Sequence, residues 1–419
     1  MEQIKTVEIK DICLGIYEGP HATPKNSDTG GIYLGIPALD PKGFIDYSRA
    51  KRIAEEDLPL WTKRVTPQED DIVFTNEATL NLYAIIPANF HGCLGRRLGL
   101  IRPNKDLVNV KYLFYYFFSP EWRETVAKNK VSGATVDRIL MTKFPSFPVA
   151  LPSLKTQERI ANILSVIDAK IEVNRQINDN LENQAKALYK SWFVDFEPFK
   201  DGHFVESELG LIPEGWSIRK VGELPLYISD YVSNGSFASL KENVTLYETP
   251  NYAQFIRNTD LKSSQFSVWV DQASYDFLAK SKLVGGEIII SNVGDVGSVH
   301  LCPKLNIPMT LGNNVIMVKP TEIIYNYFIY MTFKWFYGKN LIKGITGGSA
   351  MPKFNKTDFK SLALIIPDNQ TLQSFDSIVS HIFEQIINLN SSCQYLSQTR
   401  DTLLPKLMSG ELKINEIDC

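Results

Sequence analysis

The feature that most constrains the fold is a long internal repeat, in which two halves of the chain match at an offset of 215 or 216 residues. The strand-like run DIVFTN (residues 71–76) aligns with EIIISN (residues 287–292), and Pro87 behind it aligns with Pro303. Solenoid repeats have periods of about 20–50 residues, so an offset this long is typical of a duplicated domain. Each half continues with an aromatic-rich basic helix, a strand that ends in proline and a long helix.

The long helix that closes each half has the residue spacing of a coiled coil. Apolar residues recur at alternating spacings of four and three over more than four heptads, which indicates helices that pair along one stripe. The apolar positions of this predicted seam are Ile160, Leu164, Ile167, Ile171, Leu181 and Leu188 in the first helix and Val379, Ile382, Ile386, Leu389, Leu396 and Leu403 in the second. Asn174, Asn178 and Arg400 are polar exceptions, of the kind that fixes register and orientation at some cost in stability.

These patterns predict an α+β architecture in which two similar globular domains are separated by an antiparallel coiled coil. Because the two helices occupy equivalent places in the repeat, we expect their pairing to have pseudo-twofold symmetry. The predicted boundaries place globular domains at residues 1–152 and 201–367, long helices at residues 153–200 and 368–412, and a tail at residues 413–419.

Charge and composition narrow the possible classes of protein. The formal net charge of −3 argues against a generally basic nucleic-acid binder, yet residues 96–143 contain ten lysines and arginines against four acidic residues. No run approaches the roughly 18 apolar residues of a membrane span, and the first residues lack the order of a signal peptide. Five scattered cysteines without a C-x-x-C pair indicate a reducing compartment, and we expect a cytoplasmic protein.

The known motifs of catalysis do not assemble in this sequence. It contains no phosphate-binding G-x-x-x-x-G-K-[ST] loop, no Pro-Pro as in the base-binding loop of amino-methyltransferases, and no histidine with a partner at metal-ligand spacing. The sequence therefore predicts a non-catalytic chain without a metal site. Two alternatives stay open: a nuclease with an unrecognised metal site, and a coiled-coil adaptor without a role in DNA binding.

Polar and cationic residues in predicted loops are candidates for contacts with DNA, because phosphates attract cations, and base edges pair with amide, hydroxyl or guanidinium groups. A Gly-containing turn followed by a cation occurs in both halves, ending in Arg138 and in Lys353. The aromatic runs at residues 112–118 and 325–337 are predicted to pack in the core. The candidate DNA-binding residues are His21, Thr23, Lys25, Asn26, Arg96, Arg97, Thr135, Arg138, Asn234, Ser236, Arg257, Ser349 and Lys353.

Four segments, taken in order, resemble the specificity subunit of a type I restriction–modification system. They are LPSLKTQERIANILSVIDAKIEVN (151–174), LYKSWFVDFEPFK (188–200), SELGLIPEGW (207–216) and TRDTLLPKLMSGEL (399–412). The resemblance covers essentially the whole chain, and the order of the motifs agrees with the internal repeat.

The resemblance implies a division of labour. Each globular half would be a target recognition domain for one part of an asymmetric, split site in double-stranded DNA. The helices would space the halves and dock two methyltransferase subunits, and two restriction–translocase subunits would complete the complex. S-adenosylmethionine, ATP and Mg²⁺ would be used by those partners, and no cofactor would be bound by this chain.

Overall fold

The computed structural model describes residues 4–132, 136–348 and 350–412. The chain divides into two compact units, with residues 1–175 and 390–419 in unit 1 and residues 176–389 in unit 2. The boundary therefore falls inside both long helices rather than at their ends. Each unit contains one globular part and half of each long helix.

Unit 1 is a mixed α/β structure with an antiparallel four-stranded sheet in the order β2-β8-β5-β6. A three-stranded sheet has the order β4-β3-β7, with β3 and β7 parallel, and β1 pairs with β11 and β9 with β10. Its strands are β1 (Lys5–Glu8), β2 (Cys13–Glu18), β3 (Gly31–Leu34), β4 (Lys51–Ile53), β5 (Ile72–Thr75), β6 (Tyr83–Ile85), β7 (Gly92–Leu94), β8 (Leu98–Pro103), β9 (Lys130–Ser132), β10 (Asp137–Ile139) and β11 (Pro148–Leu151). Its helices are α1 (Leu58–Trp61), α2 (Val110–Tyr116), α3 (Pro120–Asn129), the first part of α4 (Leu154–Phe193) and the last part of the second long helix (residues 390–409).

Unit 2 repeats this plan with a four-stranded sheet in the order β15-β23-β20-β21 and a five-stranded sheet in the order β16-β18-β17-β22-β19. Its strands are β12 (Phe204–Ser207), β13 (Gly210–Pro213), β14 (Ser217–Lys220), β15 (Leu226–Asp230), β16 (Leu246–Tyr247), β17 (Ala253–Ile256), β18 (Trp269–Val270), β19 (Lys282–Leu283), β20 (Ile288–Ser291), β21 (Val299–Leu301), β22 (Met309–Leu311), β23 (Val315–Pro320) and β24 (Ala363–Ile366). Its helices are the last part of α4 (residues 176–193), α5 (Phe237–Asn243), α6 (Asn258–Ser263), α7 (Gln272–Phe277), α8 (Asn326–Lys334), α9 (Phe336–Gly344), α10 (Lys356–Lys360) and the first part of α11 (Asn369–Ser409).

The matching strand orders confirm the duplication predicted from the sequence. In both units the central strand (β5 in unit 1, β20 in unit 2) lies between equivalent neighbours, and the parallel pair of β3 with β7 recurs as β17 with β22. The β1–β11 pair of unit 1 also has its counterpart in the antiparallel pair of β14 and β24. The fold class is therefore α+β with two similar units, as predicted.

Aromatic side chains of residues 112–122, in and between α2 and α3, form the centre of the core in unit 1. Tyr112, Phe117 and Trp122 are almost completely buried, and the Trp122 indole donates a hydrogen bond of 2.8 Å to the Tyr83 hydroxyl. In unit 2, Phe328 and Phe333 of α8 are buried in the same way. The prediction that the aromatic runs pack in the core is confirmed.

The long helices pair within each unit. In unit 1, Asp168 of α4 contacts Arg400 of α11 at 2.8 Å, and Asn174 contacts Ser392 at 3.2 Å, so the helices run antiparallel. In unit 2 the ring centroids of Phe193 and Phe375 lie 4.7 Å apart. The predicted seam residues are either buried (Ile160, Leu164, Ile171, Val379, Ile386) or half-buried (Ile167, Leu181, Leu188, Ile382, Leu389, Leu396, Leu403), and their common role as a seam stays a prediction.

Two features are absent from the described residues. No helix among them is long and apolar enough to cross a membrane. Within the same residues, no group of three or more His, Cys, Asp or Glu side chains is arranged to hold a metal ion.

Candidate nucleic-acid interface

Three loops of unit 1 meet at one end of its four-stranded sheet, where β2 and β5 end and β8 begins. The Gly19 amide donates to the Leu98 carbonyl at 2.8 Å, and the Asn76 amide donates to the Arg97 carbonyl at 3.1 Å. These bonds extend the strand ladder by one residue beyond each strand. They fix the backbone of Arg97 between the other two loops.

The β9–β10 hairpin brings a second cation to the same sheet end. Arg138 and Glu77 form an antiparallel β-bridge, and the Ile139 amide donates to the Asn76 carbonyl at 2.7 Å. The sequence separates Arg97 and Arg138 by about 40 residues, yet both are attached to Asn76 or its neighbour through the backbone. We call residues 18–27, 76–81, 95–97 and 136–138 the unit 1 loop cluster.

The electrostatics of the unit 1 loop cluster are mixed. Arg97 Nε lies 3.2 Å from Glu77 Oε1, and His21 Nε2 lies 3.7 Å from Glu18 Oε2. Arg96 is exposed, and its backbone amide is held by the Tyr33 hydroxyl at 2.9 Å. Arg138 is exposed as well, as are Thr23, Lys25 and Asn26 in the loop after β2. The cluster therefore presents cations and hydrogen-bonding groups, with two carboxylates that moderate the charge.

Unit 2 contains the same backbone arrangement at the equivalent end of its four-stranded sheet. The Asn292 amide donates to the Asn314 carbonyl at 3.1 Å, and the Phe354 amide donates to the Asn292 carbonyl at 3.1 Å. Lys353 forms an antiparallel bridge with Val293, as Arg138 does with Glu77. We call residues 230–234, 292–298, 314, 347–348 and 350–353 the unit 2 loop cluster. Lys353 is exposed and takes the place of Arg138.

Left-handed backbone conformations recur at equivalent positions of the two clusters. Arg97 has φ of 72° and Asn314 has φ of 64°, while Ala78 has φ of 69° and Gly294 has φ of 77°. Glycine and asparagine adopt this conformation easily, whereas arginine and alanine do so at a cost. Unit 1 therefore has arginine and alanine, which are unfavourable in this conformation, at positions where unit 2 has asparagine and glycine.

A polar network supports the loop between β20 and β21 in unit 2. Asp295 accepts hydrogen bonds from Asn258 at 2.9 Å and from Ser298 at 2.6 Å, and it forms an ion pair with Lys262 at 2.6 Å. Hydrogen bonding, first from Lys262, lowers the pKa of Asp295 to about 2. Burial lowers the pKa of His300, which contacts Asn258, to about 4. The network fastens α6 to the unit 2 loop cluster.

Three of the predicted DNA-binding residues make contacts within unit 2. The Asn234 side chain donates to Ser281 Oγ at 2.8 Å and accepts from the Lys280 amide at 2.8 Å. Ser236 caps α5 by accepting from the Ser239 amide at 3.2 Å. Arg257 binds both carboxylate oxygens of Asp260 at 2.9 and 2.7 Å. Their role in DNA binding stays a prediction.

Two further predicted residues, Thr135 and Ser349, lie outside the described residues. Sequence reasoning also missed Glu77, Asn258, Lys262 and Asp295, which the fold brings into or beside the two loop clusters. No local pattern marks them, because their partners are distant in the sequence. The repeat offered one signal for Glu77. This residue and its equivalent Val293 each directly follow the repeated run at residues 71–76 and 287–292.

Both halves of the chain are similar to known proteins. Residues 1–183 and 213–394 match the family described as the type I restriction modification DNA specificity domain. The specificity subunit of the type I restriction enzyme MjaIX from Methanocaldococcus jannaschii is 30% identical over 401 residues, which cover 91% of this chain and 88% of that protein. The specificity subunit of the enzyme HindI from Haemophilus influenzae is 24% identical and covers 75% of this chain, with 80% of its own length matched.

The fold also has a solved counterpart. The S subunit of a type I restriction–modification system from M. genitalium superposes with a TM-score of 0.55 at 15% identity, and the match covers 97% of this chain and 96% of that one. The family match extends over most of the chain, in two segments that follow the internal repeat. The chain therefore belongs to the family of type I restriction–modification specificity subunits.

Proposed function

We propose that each loop cluster reads one part of a split target in double-stranded DNA, and that this chain selects the site for a methyltransferase and restriction complex. The observation that carries the proposal is the duplicated placement of one exposed cation. Arg138 in unit 1 and Lys353 in unit 2 are bridged to the loop after the central strand in the same way. Cations fixed at a loop end suit contacts with phosphates and with guanine edges.

The two half-sites are expected to differ in sequence. Equivalent positions of the clusters hold different side chains, with Arg97 in place of Asn314 and Glu77 in place of Val293. Arginine pairs well with guanine and asparagine with adenine, so unlike readers favour unlike bases. The target is therefore an asymmetric bipartite sequence.

We further propose that the long helices dock two methyltransferase subunits, and that two restriction–translocase subunits join that complex. Apolar side chains on the outer faces of the helices support a docking role, since Val166 and Val173 of α4 are 67% and 47% exposed and Tyr395 of α11 is 70% exposed. Exposed apolar groups that lie together on a surface mark sites that bind other proteins. S-adenosylmethionine, ATP and Mg²⁺ are assigned to these partners, and this chain is proposed to bind no cofactor and to perform no catalysis alone.

The test is DNA binding by the assembled methyltransferase complex with Arg138→Ala or Lys353→Ala. Each change is expected to weaken binding to the native target by about 5- to 100-fold and to reduce the salt dependence by about one phosphate contact. Arg138→Ala is expected to relax discrimination in one half-site, and Lys353→Ala in the other. Binding isotherms on targets with single changes in either half measure both effects.

Matched controls lie at the opposite end of each four-stranded sheet. Lys105 follows β8 in unit 1, and Lys304 follows β21 in unit 2, and both are exposed. Lys105→Ala and Lys304→Ala remove the same charge and are expected to bind DNA like the unaltered complex. Wild-type affinity in both Arg138→Ala and Lys353→Ala complexes would contradict the proposed sites.

A further inference from the structure

The internal repeat allows the two halves of the helix pair to be compared position by position. An offset of 215 residues relates Asp168 to Phe383 and Ala185 to Arg400. The interhelical pair of Asp168 and Arg400 in unit 1 thus corresponds to the positions of Phe383 and Ala185 in unit 2. Equivalent sites in a duplicated structure need no difference in chemistry, so a difference calls for a physical account.

In unit 1 these positions hold a buried ion pair. Arg400 Nη1 lies 2.8 Å from Asp168 Oδ1, and the two side chains are only 10% and 14% exposed. The Tyr115 hydroxyl donates to Asp168 Oδ2 at 2.7 Å, and Arg400 also contacts Asp401 at 2.8 Å. Each charged group is therefore compensated by the other helix or by a neighbouring group.

In unit 2 the equivalent positions are apolar. Ala185 is completely buried and Phe383 is 3% exposed, and both belong to the same core cluster. The Phe383 ring stacks on Tyr327 with centroids 4.6 Å apart. A charge at either position would be buried among these groups.

We infer that these unlike pairs form a pairing code, which accepts α11 as the partner of α4 and rejects a second copy of either helix. Two copies of α4 paired antiparallel would place Asp168 opposite Ala185 of the other copy and leave the carboxylate without its arginine. Two copies of α11 would place Arg400 opposite Phe383 of the other copy. Removing one member of a buried ion pair is strongly unfavourable, by about 100-fold or more in an equilibrium constant.

A second pair follows the same rule with weaker groups. Asn174 is buried and donates to Ser392 Oγ at 3.2 Å, whereas the repeat places Leu389 and Ile177 at the equivalent positions. Pairing of like helices would again set a polar residue opposite an apolar one. The code is independent of the proposed role in DNA binding, because it concerns only the helix seam.

The decisive variant exchanges the residues at two equivalent positions of the repeat. It combines Ala185→Arg with Arg400→Ala in the full chain. Pairing of α4 with α11 within one chain is then mismatched at both positions. Pairing of like helices from two chains is matched, with Asp168 opposite the new arginine and Phe383 opposite the new alanine. The double variant is expected to form a dimer, measured by light scattering, at concentrations where the wild type and both single variants are monomers.

Adding Asp168→Ala to the double variant serves as the control and is expected to weaken the dimer by about 100-fold. A folded double variant with the mass of the wild type would overturn the inference, and so would a dimer that persists without Asp168.

The unfolding equilibrium of the wild-type background gives a second test. Asp168→Phe with Arg400→Ala installs the unit 2 pair in unit 1. The unfolding equilibrium constant of this double variant is expected to be about tenfold lower than the product of the two single-variant changes predicts. Additive effects would also overturn the code.

Discussion

At the scale of single residues, Arg97 shows how a candidate contact can be separated from a structural residue. Its φ of 72° is unfavourable for arginine, and the equivalent Asn314 adopts a similar φ with a residue that tolerates it. The ion pair with Glu77 is about one-third exposed on both sides and contributes little to stability. A backbone position that would be easier for asparagine thus keeps arginine, which is the pattern found where function opposes stability.

Arg97→Asn is therefore expected to affect stability and DNA affinity differently. The unfolding free energy is expected to stay the same or to rise by up to about 1 kcal/mol, because backbone strain is relieved. DNA affinity of the methyltransferase complex is expected to fall by about 5- to 100-fold, because a cation is lost from the unit 1 loop cluster. Denaturant titration and binding isotherms on the same protein measure the two effects.

Arg97→Lys is the matched control, because it keeps both the charge and the strained backbone. It is expected to bind DNA more tightly than Arg97→Asn if the contact is with a phosphate. A loss of stability in Arg97→Asn with unchanged affinity would assign Arg97 to the fold instead of to the interface.

The sequence could indicate candidate residues for the interface. It could not indicate which of them make contacts within the fold. Ser236 caps a helix and Arg257 pairs with Asp260 three residues later, although both residue types are also suited to DNA. Hydroxyl, amide and guanidinium groups serve caps, ion pairs and base contacts with the same chemistry. Only the duplicated cations Arg138 and Lys353 carried positional information, because the repeat fixed their place relative to the central strand.

At the scale of secondary-structure elements, the helix pair was the most predictable part of the chain. Heptad spacing identified both helices and predicted which of their residues face inward, since a period near 3.5 residues reports which face is buried. Spacing does not report where compact units divide. The division lies near Arg175 and Asn390, inside both helices, because each globular part packs on halves of two helices that are distant in the sequence.

Asn174 is expected to fix the relative orientation of the two long helices and to lower the stability of their pairing. It is completely buried, and its Oδ1 atom has no hydrogen-bond partner among the described residues. Asn174→Leu introduces the residue found at the equivalent Leu389 and is expected to raise the unfolding free energy by about 1 kcal/mol. Thermal and denaturant unfolding measure the change. A destabilised Asn174→Leu variant would contradict the view that this amide costs stability.

At the scale of the whole molecule, duplication followed by divergence explains the main features. The four-stranded sheets repeat strand by strand, while the loop clusters and the helix seam carry different side chains in the two units. The order of the strands depends on the pattern of apolar residues, and both halves of the chain share that pattern. The bases recognised depend on loop geometry, so the sequence predicts two unlike readers without naming their targets.

The proposed spacer role of the helices predicts how the gap in the target changes when the helices are lengthened. Four residues inserted after Arg175 in α4, with four inserted before Asn390 in α11, lengthen the paired region by about 6 Å. The gap between the two half-sites is then expected to grow by at most about two base pairs, at 3.4 Å per pair. Methylation patterns of the lengthened complex measure the gap. Unchanged spacing in a folded, active variant would count against the ruler.

The most direct test of the central claim is the methylation pattern that the complete complex leaves on the DNA of its host. Single-molecule sequencing is expected to show one motif with two unequal specified parts and a fixed unspecified gap, and Arg138→Ala and Lys353→Ala are expected to relax opposite parts of it. A continuous motif, a symmetric one, or one that both substitutions leave intact would contradict the account.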